Sequence, residues 1–145
     1  ERVSVLTTIG QLRSALGTAV ARRVVDGDSA SLAELAGSNP MRLLPAVPER
    51  YGGEVPADGV LEPGRWYYDP ASGYLRYRVS HVDRFQARGG PSDEIQLRVA
   101  LVYDDRNGDG DFDAGREKLY RVELEERHAW RWRPAGENEN KGAAP

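Results

Sequence analysis

"RWYYDPASGYLRYRV", Arg65 to Val79, decides the fold. Two short runs, Arg65–Asp69 and Tyr74–Ser80, flank Asp69-Pro70-Ala71-Ser72-Gly73. Proline presets a bend, aspartate and serine bond to nearby amides, and glycine accepts a positive φ. The stretch therefore predicts a β-hairpin. Leu75, Tyr77 and Val79 fall on one side of its second strand, and that side faces a core.

More strands follow. Ile95, Leu97, Val99, Leu101 and Tyr103 alternate along a long one. Lys118–Glu125 gives another, with Tyr120, Val122 and Leu124 on one side, and a short last strand holds Trp130 and Trp132. Short connections between contiguous strands favour antiparallel pairing, so the expected sheet is a meander of about four strands. From Pro134 to Pro145 the composition turns polar and reads as a flexible tail.

The chain ahead of the hairpin has a different period. Val5, Ile9, Leu12, Leu16 and Val20 recur every three or four residues, which stacks them on one face of a helix over residues 3–25. Gly10 and Gly17 weaken such a helix by about 1 kcal/mol each, so packing must hold it. Asp26-Gly27 ends it. Ser31-Leu32-Ala33-Glu34 has the spacing of a capping box for a second, short helix. Gly37 stops that helix, and Asn39-Pro40 turns the chain. Residues 42–64 hold four prolines and four glycines and read as an ordered loop. The expected class is α+β: a long N-terminal helix packed on an antiparallel sheet of about four strands. Residues 1–133 form a single domain, with helix over 1–25, a helical-loop connector over 26–64 and sheet over 65–133; residues 134–145 are the tail.

At 145 residues the chain suffices for one domain with a core. Charged residues make up 30% and the net charge is -3, which gives no general attraction to nucleic acid or membrane. With no cysteine, disulfides, zinc–thiolate sites and thiol catalysis are excluded. No run of eighteen apolar residues is present to span a membrane. The chain opens on Glu1 rather than methionine, so an upstream segment is expected.

One acidic stretch carries candidate chemistry. Counted from Asp105 as position 1, Asn107 is 3, Asp109 is 5, Gly110 is 6, Asp111 is 7 and Asp113 is 9. That is the D-x-N-x-D-G spacing of a calcium loop, in which alternate oxygens converge on the ion. Position 12 is Arg116, where a bidentate glutamate belongs; Glu117 comes one residue late. Strands flank the loop, so it is no EF-hand. Residues 104–113 carry five aspartates and one arginine, a net -4 that a cation would relieve. The other reading is an ordinary Asp/Gly hairpin turn. Calcium is preferred, because a turn does not require oxygens at alternate positions.

Other groups read as structural. His81 and His128 are the only histidines, and neither sits in a nucleophile motif; exposed strand ends account for both. Glu123, Glu125 and Glu126 suit the wet face of a strand better than a carboxylate pair. Trp66, Tyr67, Tyr68, Trp130 and Trp132 are expected mainly in core and cross-strand contacts, with some facing out. Arg76, Arg78, Arg98 and Arg121 share a sheet face that solvation explains as well as DNA would.

The order of these elements resembles the periplasmic part of type IV pilin-like proteins, minor pilins and type II secretion pseudopilins. The residues that carry it are the amphipathic opening Glu1–Val25, then Leu35-Ala36-Gly37-Ser38-Asn39-Pro40, then Arg65–Val79. The resemblance implies a hydrophobic helix continuing upstream of Glu1, with a methylated N-terminus. It implies inner-membrane anchoring with a periplasmic domain, then a periplasmic or extracellular filament. Partners would be other pilin or pseudopilin subunits and the inner-membrane assembly machinery, with nucleic acid not expected. The C-terminal cysteine pair of many pilins is absent, and calcium in the acidic loop would clamp the sheet instead. The expected function is thus a non-enzymatic filament subunit. The alternative is a secreted calcium-dependent module binding carbohydrate or protein. The expected metal ligands are Asp105, Asn107, Asp109, Asp111, Asp113 and Glu117.

Overall fold

A computed structural model of the chain describes residues 1–110 and 118–134. A single long helix, α1 (Arg2–Val25), opens it. Its stripe of Val5, Ile9, Leu12 and Leu16 is at most 3% exposed. Each such aliphatic side chain contributes about 1.5–3 kcal/mol on burial, which outweighs the two glycines. The Asp28 amide bonds back to Arg23 O at 2.9 Å and ends the helix.

The connector departs from expectation. Residues Ser29–Leu35 form a 3₁₀ turn rather than an α-helix. The cap is Asp28, whose carboxylate accepts the Ser31 amide at 3.3 Å; the Ser31 hydroxyl donates to Asp28 O at 2.9 Å. That hydroxyl is therefore engaged and does not cap as the Ser31–Glu34 box would. A second 3₁₀ turn, Pro40–Leu43, starts at Asn39, whose side chain accepts the Met41 amide at 3.1 Å.

Among the described residues seven strands follow: β1 (Tyr51–Glu54), β2 (Trp66–Asp69), β3 (Tyr74–Arg78), β4 (Phe85–Arg88), β5 (Glu94–Tyr103), β6 (Leu119–Glu126) and β7 (Ala129–Trp132). The hairpin read from Arg65–Val79 forms as β2–β3, with Trp66 opposite Tyr77 and Asp69 opposite Tyr74. Gly73 takes φ +76° in its turn and donates to Asp69 O at 2.8 Å.

The expected four-stranded antiparallel, pilin-like sheet is not what forms. The main sheet has five strands in the order β1-β2-β3-β5-β6, and β4 pairs with β7 in a separate two-stranded sheet. The main sheet is mixed, because β1 runs parallel to β2. Trp66 N donates to Arg50 O and Val55 N to Tyr68 O, both at 2.9 Å. This pairing needs Gly52: a Cβ there would lie 2.6 Å from the Tyr67 ring. The last strand, expected to extend the meander, leaves the sheet after Glu126 and joins β4 instead. Among the described residues about 29% are helical and 31% strand.

The core lies between α1 and one sheet face. Leu75, Ile95, Leu97 and Val99 are fully buried there. The small sheet closes one end of it: Phe85 stacks on Trp130 at 6.1 Å and meets Trp132 edge-on at 5.1 Å. At the other end, Gly37 N donates to Val99 O at 2.9 Å, tying the connector to β5.

Because Leu12 is wholly enclosed, Leu12→Ala is expected to cost about 2–5 kcal/mol in denaturant unfolding. Val3, on the same helix but 76% exposed, should change stability by less than about 0.5 kcal/mol as Val3→Ala.

Candidate functional site

The acidic loop occupies the tip of the β5–β6 hairpin. The last rung before it joins Asp104 N to Lys118 O at 2.8 Å. Asp105 Oδ2 accepts the Gly110 amide at 2.9 Å, drawing together the first and sixth positions of the spacing. Asn107 Oδ1 accepts the Asp109 amide at 3.2 Å, and Asn107 Nδ2 donates to the Asp109 carboxylate at 3.1 Å. Arg106 pairs with Asp104 at 3.3 Å. Asp105, Asn107 and Asp109 are thus wound into one exposed turn. Asp111, Asp113 and Glu117 lie outside the described residues. Among the described residues, no three His, Asp or Glu side chains gather as a metal site.

The strongest polar cluster is elsewhere, at the N-terminus of α1. The Glu1 side chain is 8% exposed. Its Oε2 accepts the Tyr77 hydroxyl and the Ser80 amide, each at 2.7 Å, while Oε1 accepts the His81 amide at 2.8 Å. His81 Nδ1 sits 3.1 Å from the same oxygen. Burial alone would push this carboxyl up; the Tyr77 hydroxyl, the two amides and the His81 ring together hold it below its ordinary value. Burial and the Glu1 bond push the Tyr77 hydroxyl up. His81 is exposed but serves as a partner of Glu1. His128 corrects the strand-end expectation, being only 8% exposed, with Nε2 2.9 Å from Glu94 O.

The outer face of the main sheet is a set of matched charges. Arg76 grips Glu94 through two bonds, at 2.8 and 3.1 Å, and Gln96 adds a third at 3.2 Å. Burial would raise the Glu94 carboxyl, but these donors hold it low. Arg78 lies 3.6 Å from Asp93, Arg121 lies 2.9 Å from Glu123, and Arg98 sits over the Tyr74 ring. The four arginines read as one stripe are thus each engaged locally. None of Trp66, Tyr67, Tyr68, Trp130 and Trp132 is exposed. Tyr68 donates its hydroxyl to Gly37 O.

A surface missed in the sequence runs along α1. Opposite the buried stripe, Val3, Leu6, Gly10, Ser14, Gly17 and Ala21 are all exposed. Val24 and Val25, 61% and 85% exposed, continue it. No charged residue falls on this line; Arg2, Arg13 and Arg22 flank it. A solvated helix face ordinarily carries charge. The signal was present in the sequence: α1 has no acidic residue, and Gly10 and Gly17 lie two turns apart. Beside this face a cleft of about 650 Å³ runs between Ser14, Ala15 and Thr18 of α1 and Leu44, Pro45 and Ala46.

Set against protein-family models, curated proteins and solved structures, the chain matches none. No helix among the described residues is long and apolar enough to cross a membrane.

Both depressed carboxyls stabilise the fold fully above pH 4.5, the ordinary carboxyl value, and this stability is lost as the pH falls through their lower folded values. Glu1→Ala should cost about 2 kcal/mol at neutral pH. Glu1→Gln should flatten part of the acid limb of stability against pH, as followed by thermal melting.

Proposed function

We propose that this chain is a non-enzymatic structural subunit of a filament of the type IV pilus or type II secretion pseudopilus kind. It acts by assembly through α1. The supporting observation is the second face of that helix. One side is buried under the sheet; the other is small, uncharged and exposed from Val3 to Val25. A Cβ built at Gly10 or Gly17 meets nothing within 4 Å, so a neighbouring helix can approach closely there. The partners are other subunits and the inner-membrane assembly machinery, with an anchoring helix ahead of Glu1 and the domain outside the inner membrane. The reading rests on this helix surface and not on the sheet, whose mixed topology departs from the pilin-like expectation.

Calcium belongs to the same proposal. The turn that links Asp105 to Gly110 presents Asp105, Asn107 and Asp109 together, and Asp111, Asp113 and Glu117 supply further oxygens in sequence. An ion there clamps the β5–β6 hairpin.

Since the chain lacks cysteine, single cysteines introduced in the full-length protein give clean cross-links in its host. Gly10→Cys and Gly17→Cys should yield disulfide-linked adducts between subunits, whereas Val60→Cys, exposed elsewhere, should not. A full-length protein recovered as a monomer, with no adduct at either glycine, overturns the filament reading.

Millimolar calcium should raise Tm by several degrees, reversibly with chelator; at one hundred times Kd the gain is about 2.7 kcal/mol. Asp105→Asn with Asp109→Asn should abolish the shift.

A further inference from the structure

Asn107-Gly108 is the one place in the chain where asparagine precedes glycine. Both residues are exposed, at the tip of the β5–β6 hairpin. A side-chain amide beside the next backbone N–H can close a five-membered imide ring through that nitrogen. Closure needs an accessible nitrogen, an uncrowded residue carrying it and a polarised amide carbonyl. The hairpin tip supplies all three.

Gly108 has no Cβ to crowd its own nitrogen, and its φ of +68° favours glycine at this point of the turn. The Asn107 amide is held at both atoms by Asp109. Oδ1 accepts the Asp109 amide at 3.2 Å, and Nδ2 donates to the Asp109 carboxylate at 3.1 Å. Negative charge gathers on Oδ1 when a nucleophile adds to Cγ, and a backbone N–H already bonded to that oxygen stabilises it. Holding the amide within the turn also lowers the entropy lost on ring closure.

The other asparagines lack these features. Asn39 precedes Pro40, whose nitrogen carries no hydrogen. It is also 8% exposed, with Nδ2 donating to the Tyr51 hydroxyl at 2.8 Å and Oδ1 accepting the Met41 amide at 3.1 Å. Asn138 and Asn140 lie outside the described residues and precede Glu139 and Lys141, whose side chains crowd the nitrogen.

We propose that Asn107 is a site of spontaneous covalent modification, in which the Gly108 nitrogen displaces ammonia from the Asn107 side chain. The Gly108 nitrogen gives up its proton and bonds to Cγ. The Cγ–Nδ2 bond breaks, and Nδ2 leaves with a proton as ammonia. The product is a succinimide, which water opens at either carbonyl. Opening at Cγ leaves aspartate at 107; opening at the main-chain carbonyl leaves isoaspartate, with the backbone running through Cβ and Cγ. Water is the only other reactant, so the modified fraction grows with the age of the chain. Either product takes the net charge from -3 to -4. The consequence for calcium rests on the calcium reading above. Aspartate keeps an oxygen at position 3 of the loop, whereas isoaspartate inserts a methylene into the main chain and pulls Asp109 and Gly110 out of the turn that Asp105 closes.

Incubation of the folded 145-residue chain for days in mildly alkaline, calcium-free buffer, followed by peptide mapping in a mass spectrometer, tests it. Residue 107 should gain one mass unit and elute as two products of equal mass, while Asn39 stays unchanged. Asn107→Gln must close a larger ring and should slow the conversion on the order of tenfold or more. Gly108→Ala crowds the nitrogen and should slow it as well. Both positions are exposed, and melting curves confirm that each variant folds. An unmodified Asn107, conversion only after unfolding in urea, or conversion undiminished in both variants each overturn the proposal. Melting with and without calcium then separates the two readings. The isoaspartate form should lose the rise in Tm that the fresh chain shows, and a form that keeps it overturns the stated consequence. A fresh chain with no rise defeats the calcium reading alone and leaves the modification standing.

Discussion

Everything in this fold depends on α1 lying along one face of a twisted sheet. Val5, Ile9, Leu12 and Leu16 meet the layer of Leu75, Ile95, Leu97 and Val99, and none of these eight is more than 3% exposed. The helix carries two glycines and would not persist alone. Two polar devices set its position. Glu1 is held by Tyr77, Ser80 and His81, which fixes where the helix begins against the end of β3. Past its other end, the connector returns to β5 through Gly37 and is held by the Tyr68 hydroxyl. Burial drives the packing, while these directional bonds choose the register, because a sliding helix would leave a carboxylate buried without donors.

What the sequence disclosed follows from how local each feature is. The hairpin at Arg65–Val79 was legible because its turn residues and alternation sit within fifteen positions. The helix was legible because its apolar period repeats from Val5 to Val20, about four turns. β1 was hidden: "YGGE" has no alternation, and prolines surround it. Its pairing depends on the Tyr67 ring needing glycine opposite, a condition invisible without the sheet. β4 is four residues long and pairs with a strand about forty positions later. β1 makes the main sheet mixed and β4 founds the separate small sheet, and long-range contacts alone define both strands. The Ser31–Glu34 pattern misled because Asp28, three residues earlier, competes for the same Ser31 amide and wins it.

The candidate sites divide the same way. The calcium spacing is a pattern within one loop and could be read directly; Asp105, Asn107 and Asp109 do share a turn. Charge on the main sheet was read as a basic stripe, yet Arg76, Arg78 and Arg98 have partners that only cross-strand register brings close, and Arg121 pairs along its own strand with Glu123. The outer face of α1 was legible in principle. Sequence reading attends to where apolar residues are, and that surface is defined by where charge is absent.

Surfaces that a fold leaves unmatched are informative because matching is available nearby. This chain pairs Arg76 with Glu94, Arg78 with Asp93 and Arg121 with Glu123 across one sheet face. With that chemistry at hand, α1 still keeps a bare, uncharged flank. Exposed apolar area on that flank raises the free energy of an isolated subunit. A neighbour packed on that flank lowers it. The constraint that holds α1 in place also fixes the geometry of that relief, since the bonds at Glu1 and the packed stripe decide which side of the helix faces away from the sheet.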